Sequence, residues 1–128
     1  MDDLLTLVYT SGTTGEPKGV VLTHHNIGSN IEGIDQALVL GSGDAILGIL
    51  PFFHSFGFTV TMWLPLCADP GAVYHFNPLD ARIVGSLTEK FKCTILAATP
   101  TFLRSYLKRC SVEEMKSMNL VIVGAEKM

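Results

Sequence analysis

Residues 45–68 read AILGILPFFHSFGFTVTMWLPLCA, 24 consecutive residues without an Asp, Glu, Lys or Arg. A helix of that length could span a bilayer, so the reading of this stretch decides between a membrane segment and the inside of a globular fold. Pro51, Pro65, Gly48, Gly57 and His54 punctuate it, and each disfavours a continuous lipid-facing helix. Residues 45–50 fit a short buried strand that stops at a proline. Residues 59–66 fit a helix, although Thr59, Val60 and Thr61 weaken that fit. The stretch therefore predicts a buried strand, a turn carrying His54, and a helix.

The same alternation runs outward in both directions. Upstream, residues 6–9 read as a strand and residues 19–22 as a second apolar piece. Ile27, Ile31, Ile34 and Leu38 then form one face of a 3.6-residue period. Thr23 is the expected N-cap, Leu22 with Ile27 fits a hydrophobic staple, and Gly41-Ser42-Gly43 is expected to end the helix. Downstream, Asp69-Pro70-Gly71 is a turn before a strand at residues 72–74. Asn77 is expected to cap a helix with Pro78 at its first position and an apolar stripe of Leu79, Ile83, Leu87 and Phe91. A strand at residues 94–98 leads into Thr99-Pro100, a second cap-then-proline start, with Arg104, Lys108 and Arg109 toward that helix's C-terminal end. Glu113 and Glu114 after Ser111 read as the first turn of a helix rather than a catalytic carboxylate pair. A last strand at residues 120–123 precedes Gly124. Strands alternating with helices predict an α/β fold with a mainly parallel sheet. Ligands in such sheets bind beyond the carboxyl ends of the strands, here residues 51–54 and 75–77, Thr99 and Gly124.

Composition bounds the rest. The chain has 128 residues, 48 % hydrophobic and only 16 % charged, where a soluble domain averages about 25 % charged. A small domain has the most surface per residue to cover with polar groups, so this balance suggests a piece of something larger. The chain also stops at Met128 directly after a strand, without a covering helix. One partial domain over residues 1–128 is expected, with the remainder of a parent chain as its partner. The apolar content excludes disorder. A net charge of −3 argues against nucleic acid or an anionic membrane surface as partner. Cys67, Cys93 and Cys110 are odd in number and show no C-x-x-C spacing, so neither a disulfide framework nor a zinc knuckle is indicated. The acidic N-terminus lacks a signal-peptide pattern, and a cytoplasmic protein is expected.

Tyr9-Thr10-Ser11-Gly12-Thr13-Thr14-Gly15-Glu16-Pro17-Lys18-Gly19 carries the chemistry. Its glycines allow close backbone approach to a ligand, its hydroxyls donate, and Lys18 adds positive charge, a combination that suits a polyphosphate. An ordinary Gly/Ser/Thr surface turn is the plain rival; dense hydroxyls ending in Pro-Lys-Gly tip the balance. A Walker A loop is not met, because Lys18 follows a proline and Gly19 stands where a Mg²⁺-binding hydroxyl is needed. Adjacent His24 and His25 point to different helix faces, and with His75 they give no metal-ligand spacing.

This loop resembles the phosphate-binding signature of the adenylate-forming superfamily of acyl- and aryl-CoA synthetases, peptide-synthetase adenylation domains and luciferases. Leu22-Thr23-His24-His25-Asn26, Pro51-Phe52-Phe53-His54-Ser55-Phe56-Gly57-Phe58, Ala98-Thr99-Pro100-Thr101 and Val123-Gly124-Ala125-Glu126-Lys127 are similar to later segments of the same superfamily. The Phe-Phe-His-Ser-Phe-Gly-Phe wording and the last segment most resemble the synthetase part of bacterial acylglycerophosphoethanolamine acyltransferases that are also acyl carrier protein acylating enzymes. The resemblance implies a fragment of the large N-terminal domain of a ligase that joins a fatty acid to ATP with Mg²⁺, giving acyl-AMP and pyrophosphate. A thiol of acyl carrier protein or CoA would then displace AMP. It implies that Thr10, Ser11, Gly12, Thr13, Thr14, Gly15 and Lys18 hold the β- and γ-phosphates. It implies His54 where acyl pocket and phosphate meet, and Gly124, Ala125 and Glu126 along the adenine. Lys18 and His54 would be the catalytic groups. Phe52, Phe53, Phe56 and Phe58 are expected mainly in the core, with some free to wall the acyl pocket. The superfamily's later Tyr-Gly-x-Thr-Glu segment, whose glutamate helps hold Mg²⁺, its ribose-binding aspartate, its C-terminal domain and the acyltransferase region do not occur in these residues. The parent enzyme of such a fragment could associate with membranes. The alternative is a standalone, non-catalytic nucleotide-binding module.

Overall fold

The computed structural model describes residues 2–10 and 15–127. Two sheets are present among these residues. β1 (Leu4–Thr10) and β2 (Lys18–Thr23) pair antiparallel as a hairpin, and a separate four-stranded sheet has the order β4-β3-β5-β6. Its strands are β3 (Ala45–Gly48), β4 (Gly71–Tyr74), β5 (Ile95–Ala98) and β6 (Leu120–Val123), and every pairing among them is parallel. The expected parallel sheet is therefore these four strands, while the first two apolar pieces form their own hairpin.

Period-two alternation builds a core on each face of the parallel sheet. On one face Ile46, Ile95 and Ala97 pack with Ile27 and Ile31 of α1 (His24–Leu38) and with Val60 and Leu64. On the other, Leu47, Leu96 and Ala98 pack with Ala81 and Val84 of α3 (Ala81–Phe91) and Tyr106 of α4 (Pro100–Arg109). Helices thus cover both faces, which leaves the strand ends as the accessible edges. Leu5 and Leu22 tie the hairpin to the first core.

Local chemistry explains the helix starts. Thr23 accepts from the Asn26 amide while the Asn26 side chain accepts from Thr23, a reciprocal cap at the expected position. Thr99 caps α4 by accepting from the Phe102 amide, with Pro100 in the first turn as expected.

Other expectations are corrected. α1 ends at Val39, held at φ 51° with its amide on the Asp35 carbonyl, and not at the Gly41-Ser42-Gly43 run. There the Gly41 amide donates to Asp44 Oδ2, 3.0 Å away, so the glycines serve the turn into β3. Asp80, not Asn77, caps α3; the Asn77 side chain instead accepts from the Leu79 amide in a turn just before it. α3 buries Ala81, Val84, Gly85 and Thr88 and leaves Leu79, Ile83 and Phe91 of the expected stripe exposed. The small face is the one that meets the second core, where Ala81 and Val84 pack with Leu47, Leu96 and Tyr106.

The helix expected at residues 59–66 is a π-helix over Gly57–Trp63 followed by the short α2 (Leu64–Cys67). Thr61 Oγ1 donates back to the Gly57 carbonyl within that π-helix. Residues 112–117 form turns rather than a helix, although Ser111 and Glu114 make reciprocal capping bonds of 2.6 and 3.2 Å. Of the four phenylalanines, Phe56 and Phe58 pack on the core as expected. Phe53 is 88 % exposed, and Phe52 stacks edge-on against Tyr74 at 5.5 Å. No helix among the described residues is long and apolar enough to cross a membrane; the uncharged stretch is β3, the His54 turn, the π-helix and α2.

Candidate functional site

Hairpin pairing fixes the mouth of the glycine-rich loop. Thr10 and Lys18 are the last partners in the β1–β2 register, and Thr10 Oγ1 donates to the Lys18 carbonyl across 3.4 Å. This pair closes the described end of the hairpin. Ser11, Gly12, Thr13 and Thr14 lie outside the described residues. Gly15 has φ +90°, a conformation that side-chain-bearing residues rarely adopt. Thr10, Gly15 and Lys18 are all exposed, and Lys18 enters no salt bridge among the described residues. Among the described residues, Lys18 and the Thr10 hydroxyl thus stand exposed at the end of the hairpin, near a position that favours glycine.

His54 is held by the turn that leaves β3. Its amide donates to the Pro51 carbonyl at 3.2 Å, and its carbonyl accepts from the Phe58 amide at 2.8 Å. The turn can be this tight only with glycine at 57, where a Cβ would stand 2.2 Å from the Pro51 oxygen. The imidazole Nδ1 accepts from the Phe56 amide at 3.3 Å. A neutral ring then carries its proton on Nε2, which leaves that nitrogen to meet a ligand.

The parallel sheet brings the far end of the chain to the same edge. β5–β6 pairing places Gly124 and Ala125 just past the carboxyl end of β6. With His54, Phe56, Thr59 and Ile122 they line an open cavity of about 910 Å³. A smaller cavity of about 210 Å³ joins His54 to Thr99, Ala125 and Glu126. His54, Gly124, Ala125 and Glu126 are therefore assembled together, as the strand-end argument requires. Thr10, Gly15 and Lys18 do not line these cavities. Glu126 is already engaged, since its Oε2 accepts from the Thr101 amide at 3.3 Å and from Thr101 Oγ1 at 2.8 Å.

The sequence reading missed the α1 contribution. Ser29, Asn30, Gly33 and Ala37 line the larger cavity, on the face beside the Ile27–Ile31 stripe. Small residues at i, i+4 and i+8 (Ser29, Gly33, Ala37) are the signal that was available. Apart from His54, no ionisable side chain lines this cavity among the described residues.

A third cavity, about 630 Å³, opens between the ends of β3 and β4 and is lined by Phe52, Phe53, Tyr74, His75 and Phe76. His75 Nε2 there is buried without a hydrogen-bond partner, 4.0 Å from Asp80 Oδ2. Among the described residues, no group of three His, Cys, Asp or Glu side chains could hold a metal ion.

Comparison with known proteins bears on the family and the fold. The family model described as "AMP-binding enzyme" matches residues 1–128. The chain is 40 % identical over 104 residues to a putative acyl-CoA synthetase, YngI, of Bacillus subtilis (strain 168), covering 78 % of this chain and 18 % of that protein. It is 38 % identical over 103 residues to a long-chain-fatty-acid–CoA ligase of the same organism, covering 77 % of this chain and 18 % of that one. The solved structure of O-succinylbenzoate coenzyme A synthetase from Bacillus subtilis, in complex with ATP and magnesium ion, superposes with a TM-score of 0.87 at 29 % identity. That match covers 98 % of this chain and 26 % of the other. The chain spans about a fifth of the length of these curated relatives.

Proposed function

Because the chain belongs to the AMP-binding enzyme family, we propose that it forms part of the N-terminal domain of an ATP-dependent ligase that activates a fatty acid. The observation that carries this reading is the junction of His54 with Gly124 and Ala125 on one cavity at the carboxyl edge of the parallel sheet. In the proposed reaction a carboxylate oxygen attacks the α-phosphorus of ATP. The bond to the β-phosphate oxygen breaks, and acyl-AMP and pyrophosphate form. A thiol then attacks the acyl carbonyl and AMP leaves.

These residues would act by placement and charge rather than by covalent catalysis. The hydroxyls and amides of residues 10–15 and the Lys18 ammonium would hold the β- and γ-phosphates. His54 would offer Nε2–H where the carboxylate meets the α-phosphate. The backbone at Gly124 and Ala125 would pass along the adenine. Mg²⁺ would neutralise phosphate charge when bound; no described residue of this chain is assigned to it.

An apolar monocarboxylic acid suits the larger cavity. Ile34, Leu38, Phe56, Val60 and Ile122 supply apolar wall, and among the described residues no lysine or arginine lines it to pair with a second anionic group. The thiol acceptor is proposed to be acyl carrier protein, as in the bacterial acylglycerophosphoethanolamine acyltransferase/synthetase group that the sequence resembles, with CoA as the other candidate. The test is product trapping with the full-length protein, ATP, Mg²⁺ and a long-chain fatty acid, followed by mass spectrometry. Acyl-AMP is expected, and added acyl carrier protein should convert it to the thioester faster than CoA does. Release of ADP and phosphate without acyl-AMP would overturn the reading; preference for CoA would overturn only the acceptor.

A further inference from the structure

Glu126 sits in the turn read above as the adenine edge, yet its carboxylate is turned toward another element. Oε2 takes two hydrogen bonds from one residue, Thr101: from the backbone amide at 3.3 Å and from the hydroxyl at 2.8 Å. Thr101 lies in the first turn of α4, where helix amides have no intrahelical partner and favour a negative charge. The two residues are 25 positions apart, so the contact joins the start of α4 to the end of β6.

The turn it joins needs external support. Ala125 has φ 68°, in the left-handed region that an alanine seldom occupies. On the β6 side the backbone is anchored by the Gly124 amide, which donates to the Ala98 carbonyl at 3.3 Å. On the other side the Glu126–Thr101 contact is the clamp. Ala125 and Glu126 share their small cavity with His54 and Thr99, so the clamp sets how far this turn stands from the imidazole.

We propose that Thr101 is a positioning residue: through Glu126 it holds the Gly124–Ala125–Glu126 turn at the distance from His54 that nucleotide binding requires. The part concerning nucleotide rests on the reading of the turn given under Proposed function. Glu126 then shapes the adenine edge by its backbone, its carboxylate being spent on α4.

The experiment compares Thr101→Val, Thr101→Ser, Glu126→Ala and the Thr101→Val/Glu126→Ala double variant in the full-length protein, by ATP–pyrophosphate exchange and thermal unfolding. Thr101→Val keeps the amide and the shape but removes the hydroxyl. It should raise KM for ATP about tenfold, the scale of one hydrogen bond to a charged acceptor, with kcat within about twofold. Thr101→Ser should restore wild-type KM, and the double variant should be no worse than Glu126→Ala alone. An unchanged KM in Thr101→Val, or an equal rise in Thr101→Ser, overturns the proposal. If wild-type protein gives no exchange, the ligase reading fails by itself. The unfolding midpoints then decide the clamp: non-additive shifts support it, and purely additive shifts overturn it.

Discussion

Lys18 and Tyr106 show how differently single residues matter here. Lys18 is exposed at the mouth of the glycine-rich loop, without a salt-bridge partner among the described residues. The proposed polyphosphate would supply the opposite charge. Lys18→Ala should leave thermal stability unchanged and lower the proposed adenylation by the full-length protein by about 10²-fold, the scale of losing one preorganised charge-stabilising group. Near-normal activity would remove Lys18 from the site. Tyr106 is the structural counterpart. Its side chain is 1 % exposed, and its hydroxyl donates to the Pro78 carbonyl. Burial, and then the neighbouring Cys110, push its phenol well above the ordinary value. An acid whose folded pKa is raised keeps its proton in the folded state while the unfolded state loses it. Its contribution is therefore complete below the unfolded value of about 10 and is lost as pH rises beyond it. Burial raises the thiols of Cys93 and Cys110 in the same sense, so their loss begins earlier, from about pH 8.5. Urea midpoints should fall between pH 8 and pH 11, and Tyr106→Phe should flatten the part of that fall above about pH 10.

At the scale of elements, the turn between β3 and the π-helix is the critical piece. A Cβ at position 57 would meet the Pro51 oxygen at 2.2 Å, so Gly57→Ala must move either the end of β3 or the start of the π-helix. It should destabilise the fold by about 1–3 kcal/mol and displace His54. Chemical denaturation, with the His54 ring resonances as a site-specific readout, checks both effects; wild-type stability with unmoved resonances would contradict it. The elements also show what a sequence can disclose. Thr23 and Thr99 were legible as caps because the cap, its amide partner and the following turn lie within a few residues of each other. Asn77 and Asp80 were not separable by such reasoning, since both accept a backbone amide within four positions of each other. The buried face of α3 was hidden because packing on the distant strands decides it, where Ala81 and Val84 meet Leu47 and Leu96. The partner of β1 was hidden for the same reason: pairing across a loop is not written in either strand alone.

At the scale of the whole molecule, the low charge content takes on a physical form. The chain exposes 8016 Å², where a compact monomer of this mass would expose about 6,700 Å². Much of the unusual surface is apolar: Leu4, Leu7, Tyr9 and Val21 on the hairpin, and Phe53 and Phe76 at the strand ends, the last 93 % exposed. The 128-residue chain should bind a hydrophobic dye and self-associate at micromolar concentration; a monodisperse, dye-silent monomer would contradict this. The candidate site was legible at that sheet edge because strand ends are where parallel α/β sheets leave backbone accessible, and His54, Gly124 and Ala125 meet there. The Thr101–Glu126 clamp was not legible, because it joins the ends of two separate βα units. Carboxylate adenylation, as proposed, needs this edge and the glycine-rich loop together. Exchange of labelled pyrophosphate into ATP by the full-length protein, with and without a long-chain fatty acid, tests it most directly. Exchange that requires the fatty acid and collapses in Lys18→Ala is expected; exchange indifferent to the acid, or none at all, would overturn the proposed adenylation.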